Sequence, residues 1–441
     1  MWDRFLFKQI DNSPLLIFRI FFGILVSLEC YGAILTGWVR RTLIEPSFTF
    51  TFIGFEWLQP LPGNGMYIYF LVMGTLGICI ALGYKYRFAT LAFTLMWAAV
   101  YLMQKTSYNN HYYLLLLIAL IMSFLPAHRN CSLDARLDPG IKTNHMPAYI
   151  KWGIVMQLFI VYTYASVAKL YGDWLDFSII EILFKRKQGY PLIGALLQQP
   201  AVHMIVGVSG ILFDLLIVPA MLWKKSRKWA FMAAVFFHMF NSIVFQIGIF
   251  PYLALAFMVF FYDPETIRKI FFRKKKPYLV SEVLIPPHKK LVLGVVGIYF
   301  LIQLVLPIRH YFIKGDVLWT EEGHRLSWRM MLRSRSGLTS FKIKNNTTGN
   351  WYLVNLEDYL TKRQKNKLKA YPDFMWQFAQ RLKREYAEKG EDISVFVNAR
   401  VSVNGKPHHQ FIDPEVDMAQ VPWGYFGHSE WILPSPLQAG D

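Results

Sequence analysis

Lys105-Thr106-Ser107-Tyr108-Asn109-Asn110-His111 is a polar run set between two apolar segments, residues 87–103 and 112–125. In a chain that spans lipid, such a run is either a hydrated turn or the lining of a polar cavity, because unpaired polar groups at membrane depth are costly. A second out-of-place residue sharpens the question. Lys169 closes another apolar segment, Tyr164-Ala165-Ser166-Val167-Ala168-Lys169-Leu170, and is followed by Asp173 and Trp174.

Of 441 residues, 54% are hydrophobic and only 17% charged, where soluble domains carry about a quarter. With long uncharged runs, this predicts a polytopic α-helical membrane protein. The formal charge of +18 does not point to nucleic acid. The basic residues crowd into short loops between apolar runs, the pattern of membrane topology and of attraction to anionic lipid. Cys30, Cys79 and Cys131 form no Cys-x-x-Cys pair and avoid the polar C-terminal third. Neither a disulfide framework nor a metal centre is therefore expected.

About nine spans are predicted: residues 14–35, 66–83, 87–103, 112–125, 148–170, 201–223, 229–250, 251–262 and 291–308. The first is too long for a cleaved signal core and reads as a retained span. The eighth is short enough to be re-entrant, or to share a broken helix pair with the seventh. With the N-terminus inside, the inner loops hold nineteen Lys and Arg against six in the outer loops before the tail, a positive-inside bias. Nine spans then place the C-terminal domain, the 105–111 turn and the Lys169 end on the outer side. The connector 173–200, with Lys185-Arg186-Lys187, reads as an interfacial helix or a lid. Phe48, Phe50 and Phe52 alternate with threonines, which predicts a strand joining the outer domain.

The sequence divides into a transmembrane domain, 1–308, and an extracytoplasmic α+β domain, 309–441. In the latter, residues 393–403 alternate as a strand and Asn404-Gly405 is a hairpin turn. Residues 341–343 and 351–354 form a second hairpin, with Asn345 and Asn346 as turn residues rather than glycan acceptors. Residues 373–389 carry Met375, Phe378, Leu382 and Tyr386 at helical spacing, with Gly390 as the stop.

Several polar residues fall within spans. Arg19, Glu29 and Asp214 read as glue between helices. His238 and Asn241 are three apart, share one face, and must look into the bundle. A solvated lysine has a pKa of about 10.4 and is a poor base. Burial lowers that by up to ~3–5 units, enough to make Lys169 a neutral amine. The ordinary alternative is a lysine that snorkels to the interface beside Tyr171 and Trp174.

These residues, with others in order along the chain, resemble the vitamin K-dependent gamma-glutamyl carboxylases of the horizontally transferred transmembrane domain group. The likeness is carried by 105–111, by Ala165-Ser166-Val167-Ala168-Lys169-Leu170-Tyr171-Gly172-Asp173-Trp174, by Phe237-His238-Met239-Phe240-Asn241-Ser242 and by Ile247-Gly248-Ile249-Phe250. It continues through Ser327-Trp328-Arg329-Met330-Met331, Ser334-Arg335-Ser336 and Phe411-Ile412-Asp413-Pro414-Glu415-Val416-Asp417. The resemblance implies oxidation of vitamin K hydroquinone (menaquinol or phylloquinol) to its epoxide by O2, coupled to removal of a γ-proton from a peptidyl glutamate and capture of CO2.

In that family the lysine matching Lys169 is the base toward the hydroquinone, and Asn110 and His111 match residues of the same site. Asn109, Tyr108, His238 and Asn241 are expected around the quinol. The arginine matching Arg335 is associated with the glutamate substrate, and Lys185, Trp328 and His310 are expected beside it. The implied partners are membrane lipid, an isoprenoid quinol and a Glu-containing peptide or protein. Animal members have a second lysine where this chain has Ala168, a histidine where it has Arg333, and a longer C-terminal region than the Pro434-Ser435-Pro436 end. These departures suggest a bacterial member, in the inner membrane with its C-terminal domain in the periplasm. Two alternatives stay open: a quinol epoxidase or oxidoreductase that carboxylates no protein, and a transport or lipid-binding protein. A transporter would be expected to show paired halves, and the sequence shows none.

Overall fold

The computed structural model describes residues 2–280 and 282–435; Pro436, quoted above, lies outside them. Nine apolar helices lie among the described residues. They are α1 (Ser13–Leu35), α2 (Gly65–Leu82), α3 (Tyr86–Met103), α4 (Asn110–Phe124), α5 (Ala148–Val167), α6 (Pro200–Leu222), α7 (Arg227–Phe245), α8 (Phe250–Phe261) and α9 (Lys289–Phe312). Seven are long and apolar enough to cross a membrane, while α4 and α8 are shorter. The protein is thus a polytopic membrane protein with a C-terminal α+β domain.

Close approach of α1 and α2 is built from small residues, as lipid-embedded packing requires. A Cβ on Gly23 would lie 2.3 Å from the Ala81 backbone nitrogen. Ser27 Oγ donates 2.8 Å to the Gly74 carbonyl across the same contact. The seventh span ends earlier than its hydropathy suggests. Residues Asn241–Phe245 form a π turn, then Gln246 and Gly248 take φ of 52° and 66°, and α8 starts afresh. The left-handed residues break the pair, which is the broken arrangement the short eighth segment allowed.

The loops that carry the basic excess meet at one end. Strand β1 (Gln9–Asp11) pairs antiparallel with β2 (His145–Pro147). Lys275 Nζ sits 2.8 Å from Asp11, and Arg19 donates to the carbonyls of Ala127 at 2.9 Å and Cys131 at 2.7 Å. The 105–111 turn meets the C-terminal domain at the opposite end.

That domain is an antiparallel sheet in the order β4-β3-β5-β6, comprising β3 (Arg335–Asn345), β4 (Trp351–Leu353), β5 (Ile393–Val403) and β6 (His409–Gln410). Helix α10 (Pro372–Ala387) packs Phe374, Met375, Phe378 and Leu382 against Phe341, Ile343, Val395 and Val397, all buried. Asn404 and Gly405, with φ of 51° and 77°, make the turn into β6. Asn345 Oδ1 accepts from the Thr347 and Thr348 amides, as a turn residue does.

The 48–52 segment is a correction: it joins the outer domain but forms no strand. Its backbone is satisfied one residue at a time, by Gln364 Nε2 on Phe48 O at 2.7 Å, Lys105 N on Phe50 O at 2.7 Å and Gln377 Nε2 on Thr51 O at 3.2 Å. The alternating phenylalanines pack instead, with Phe50 against Phe374 at 4.8 Å between ring centroids.

Candidate functional site

Tyr108, Asn109, Asn110, His111 and Tyr112 line a cavity of about 480 Å³, whose other wall is made by His324, Arg325, Arg329, Met330, Met331, Arg333 and Tyr371. Asn109 ends the turn in an extended conformation and caps α4, its Oδ1 accepting from Tyr112 N at 2.7 Å. This is why the chain is polar here: the cap fixes where the apolar helix begins. Asn110 is held from both sides. Its Nδ2 donates to Arg329 O at 3.0 Å, and its Oδ1 accepts from the Tyr108 hydroxyl at 2.9 Å. Tyr108 in turn accepts from Leu326 N at 2.7 Å. The His111 ring lies 4.1 Å from Phe250, whose other neighbour is His238 at 5.8 Å.

Lys105 is not a hydrated turn residue. Its ammonium is buried against Asp373 at 2.5 Å and Gln377 at 2.6 Å. Burial brings its pKa down to about 8 despite Asp373, so it is an ammonium at neutral pH. Asp373 also accepts from Arg325 at 2.8 and 3.2 Å. Burial pushes its carboxyl up, but Arg325 and Lys105 outweigh that and hold it below the usual carboxylate range. This clamp seats the outer domain on the turn.

The cavity wall holds five cations, Lys105, Arg325, Arg329, Arg333 and Lys367, and no carboxylate. Glu321 lies behind the wall and anchors Arg333 through both oxygens. His324, fully buried, is held well below the usual imidazole range by burial and the surrounding arginines. Burial opposes ionisation of the Tyr371 phenol, but Arg333 and Lys367 draw its pKa below the ordinary value. Glu321, Leu326, Trp328 and Met331 all have positive φ without being glycine. Such backbone costs of order 1–3 kcal/mol per residue and clusters at functional sites.

The expected residues do not all converge here. Lys169, Asp214, His238 and Asn241 lie outside the wall. Lys169 is buried and bonded to Asp214 and to Ala165 O, the latter at 3.1 Å, with its Nζ 5.3 Å from the Trp174 ring centre. Asp214 on α6 thus ties α6 to the end of α5, as a residue joining helices does, and Lys169 does not snorkel. His238 Nε2 meets the Tyr162 hydroxyl at 3.1 Å, while its Nδ1 has no partner among the described residues. Asn241 bonds back to Phe237 O at 2.8 Å.

The expected peptide contacts need correcting. The Arg335 side chain has 0% exposure. It donates to the carbonyls of Ala370, Leu318 and Trp319 at 2.9, 2.5 and 2.8 Å, so it braces the outer domain from within. Trp328 is buried, stacked 4.9 Å from Tyr113. Lys185 is exposed at the end of the helix Ser178–Lys185, away from the wall. His310 acts at one remove: its Nε2 meets Arg329 Nη1 at 3.3 Å. The wall residues Arg325, Arg329, His324 and Tyr371 were missed. The available signal was a set of basic residues at 325, 329, 333 and 335 with no acid between them.

No solved structure matched the chain. Residues 7–265 match the HTTM domain family, and residues 288–438 match the vitamin K-dependent gamma-carboxylase lumenal domain. The second description goes with an extracytoplasmic C-terminal domain. The two matches run in the order the ordered motifs implied and together take in both the helical bundle and the outer domain. The chain belongs to the vitamin K-dependent gamma-carboxylase family.

Proposed function

We propose that this protein is a vitamin K hydroquinone-dependent peptidyl-glutamate carboxylase with epoxidase activity. In this reading its transmembrane part ends at residue 308, it resides in a bacterial inner membrane with the N-terminus cytoplasmic, and its quinol comes from the lipid phase. The observation that carries the proposal is the cation-walled cavity against Asn110 and His111. At 480 Å³ it falls within the ~300–1,000 Å³ typical of ligand pockets. It joins apolar Ile247, Met330 and Met331 to amide, imidazole and guanidinium donors, a set that fits both a quinol ring and an anionic side chain.

Bound vitamin K hydroquinone, oxidised by O2, supplies the driving force for removing a glutamate γ-proton. The protein's part is electrostatic and positional. Arg325, Arg329 and Arg333 stay protonated at any physiological pH, so their wall attracts a glutamate carboxylate and favours charge developing beside it. Asn110, fixed by Arg329 O and the Tyr108 hydroxyl, is an amide held in one orientation. In this reading Lys169, held by Asp214 and by Ala165 O, is the base toward the quinol. The outer domain, clamped on the turn through Asp373, keeps water from the reacting groups.

The test uses purified protein in lipid nanodiscs with reduced vitamin K, labelled bicarbonate and a short Glu-containing peptide. The expected result is quinol-dependent oxygen uptake, epoxide formation and label in the peptide. Epoxide without label would support the epoxidase alternative. Absence of both from well-folded protein would overturn the proposal.

A further inference from the structure

A second and larger cavity, about 1290 Å³, lies at the other end of the molecule. One wall is apolar: Ile20, Ile24 and Leu28 of α1 face Ile78 and Leu82 of α2. Ile24, Leu28, Ile78 and Leu82 are 44–62% exposed, so the cavity opens sideways from the bundle. Its rim is basic: Arg136, Lys142, Lys274 and Lys276 line it and are exposed. None of these four has an ion-pair partner among the described residues, whereas Lys275 between two of them is spent on Asp11. At the junction of rim and wall lies Arg19, 1% exposed, whose Nε has no hydrogen-bond partner among the described residues.

We propose that this groove is a binding site for one anionic phospholipid, its headgroup on the basic rim and an acyl chain along α1 and α2. Two independent features fit that occupant together. The first is charge complementarity: four unneutralised cations are gathered where the helices leave the lipid. The second is length. Along α1 the cavity runs from Arg19 to Tyr31, twelve steps or roughly 18 Å at 1.5 Å per residue. One leaflet of a ~30 Å hydrocarbon core needs about 15 Å. A soluble phosphate would use the rim and leave the wall exposed, and a neutral lipid would use the wall and leave the rim unneutralised.

The site is distant from the carboxylase cavity and does not depend on that assignment. The test is native mass spectrometry of the full chain released from nanodiscs of equal phosphatidylglycerol and phosphatidylcholine. A cation beside an anionic headgroup changes binding by roughly fivefold, so phosphatidylglycerol should be retained at least about tenfold over phosphatidylcholine. The variant Arg136→Gln/Lys142→Gln/Lys274→Gln/Lys276→Gln should lose that preference. Ile78→Trp, which fills the wall and leaves the rim intact, should lose retention altogether. Elution and melting profiles like those of the unaltered protein establish that both variants fold. Equal retention of the two lipids, undiminished retention in either variant, or displacement by millimolar glycerol phosphate would overturn the proposal.

Discussion

Replacing Asp373 by Asn should damage the protein more than replacing its partner Lys105 by Met. Asp373 is the single anion between two buried cations, Lys105 at 2.5 Å and Arg325 at 2.8 Å. In Asp373→Asn the two cations lose the carboxylate between them and repel one another, with only the more distant Glu56 and Glu321 left to offset them. Breaking a buried pair in this way costs about 3–5 kcal/mol. In Lys105→Met the carboxylate keeps both bonds to Arg325. A methionine of similar length fills the space, and its removal of a charge also removes a desolvation cost, so the loss should be about 1–2 kcal/mol. At ~3–5 °C per kcal/mol for a domain of this size, between the values for smaller and larger domains, the outer domain should melt roughly 9–25 °C lower in the first variant and roughly 3–10 °C lower in the second. Fluorescence-detected size exclusion after graded heating measures both, at one heating rate because membrane proteins unfold irreversibly. A larger loss in Lys105→Met than in Asp373→Asn would refute the reasoning that charge balance, rather than packing, holds the outer domain on the turn.

Lys169→Arg should fold, since guanidinium can still pair with Asp214, yet lose quinol oxidation because it cannot become a neutral base; near-wild-type oxygen uptake would remove Lys169 as the base. Arg335→Ala should lower the melting temperature of the outer domain, by about 3–5 kcal/mol in stability because Glu321 loses part of its charge balance, and a variant that melts normally but needs more peptide would restore a substrate-binding role. Glu321 and Asp373 are both held below the usual carboxylate range. A depressed folded-state pKa contributes stability above the unfolded value and loses it as pH falls through the folded one. Resistance of the outer domain to protease should therefore be constant above about pH 5 and decline below about pH 4; decline on raising pH from 5 to 8 would contradict this.

The elements most legible in the sequence are those whose side chains repeat with the backbone. Strand β5 ends where its alternation ends, at Ile393 and Val403, and α10 follows its apolar stripe to within two residues at its C-terminus. The Phe48–Phe52 alternation misleads because period two records extended backbone, and only neighbouring chain decides whether that backbone enters a ladder. The Lys169–Asp214 contact joins residues 45 positions apart, one in the turn after α5 and one on α6, and no local pattern encodes that pairing. Arg335 was legible as important, but not as internal. A buried arginine satisfied by carbonyls reads in sequence like any arginine of a polar domain.

Helix α4 begins at the cavity, and Asn109, Asn110, His111 and Tyr112 around its first turn all line it. The aligned peptide dipoles of its fifteen residues place roughly half a positive charge at that end. Unlike a lysine or a histidine, this contribution has no proton to lose. Unlike a side chain, it survives any single substitution that leaves the helix intact. The site's attraction for anions is therefore partly written into the backbone, and it persists at alkaline pH and in variants stripped of one arginine.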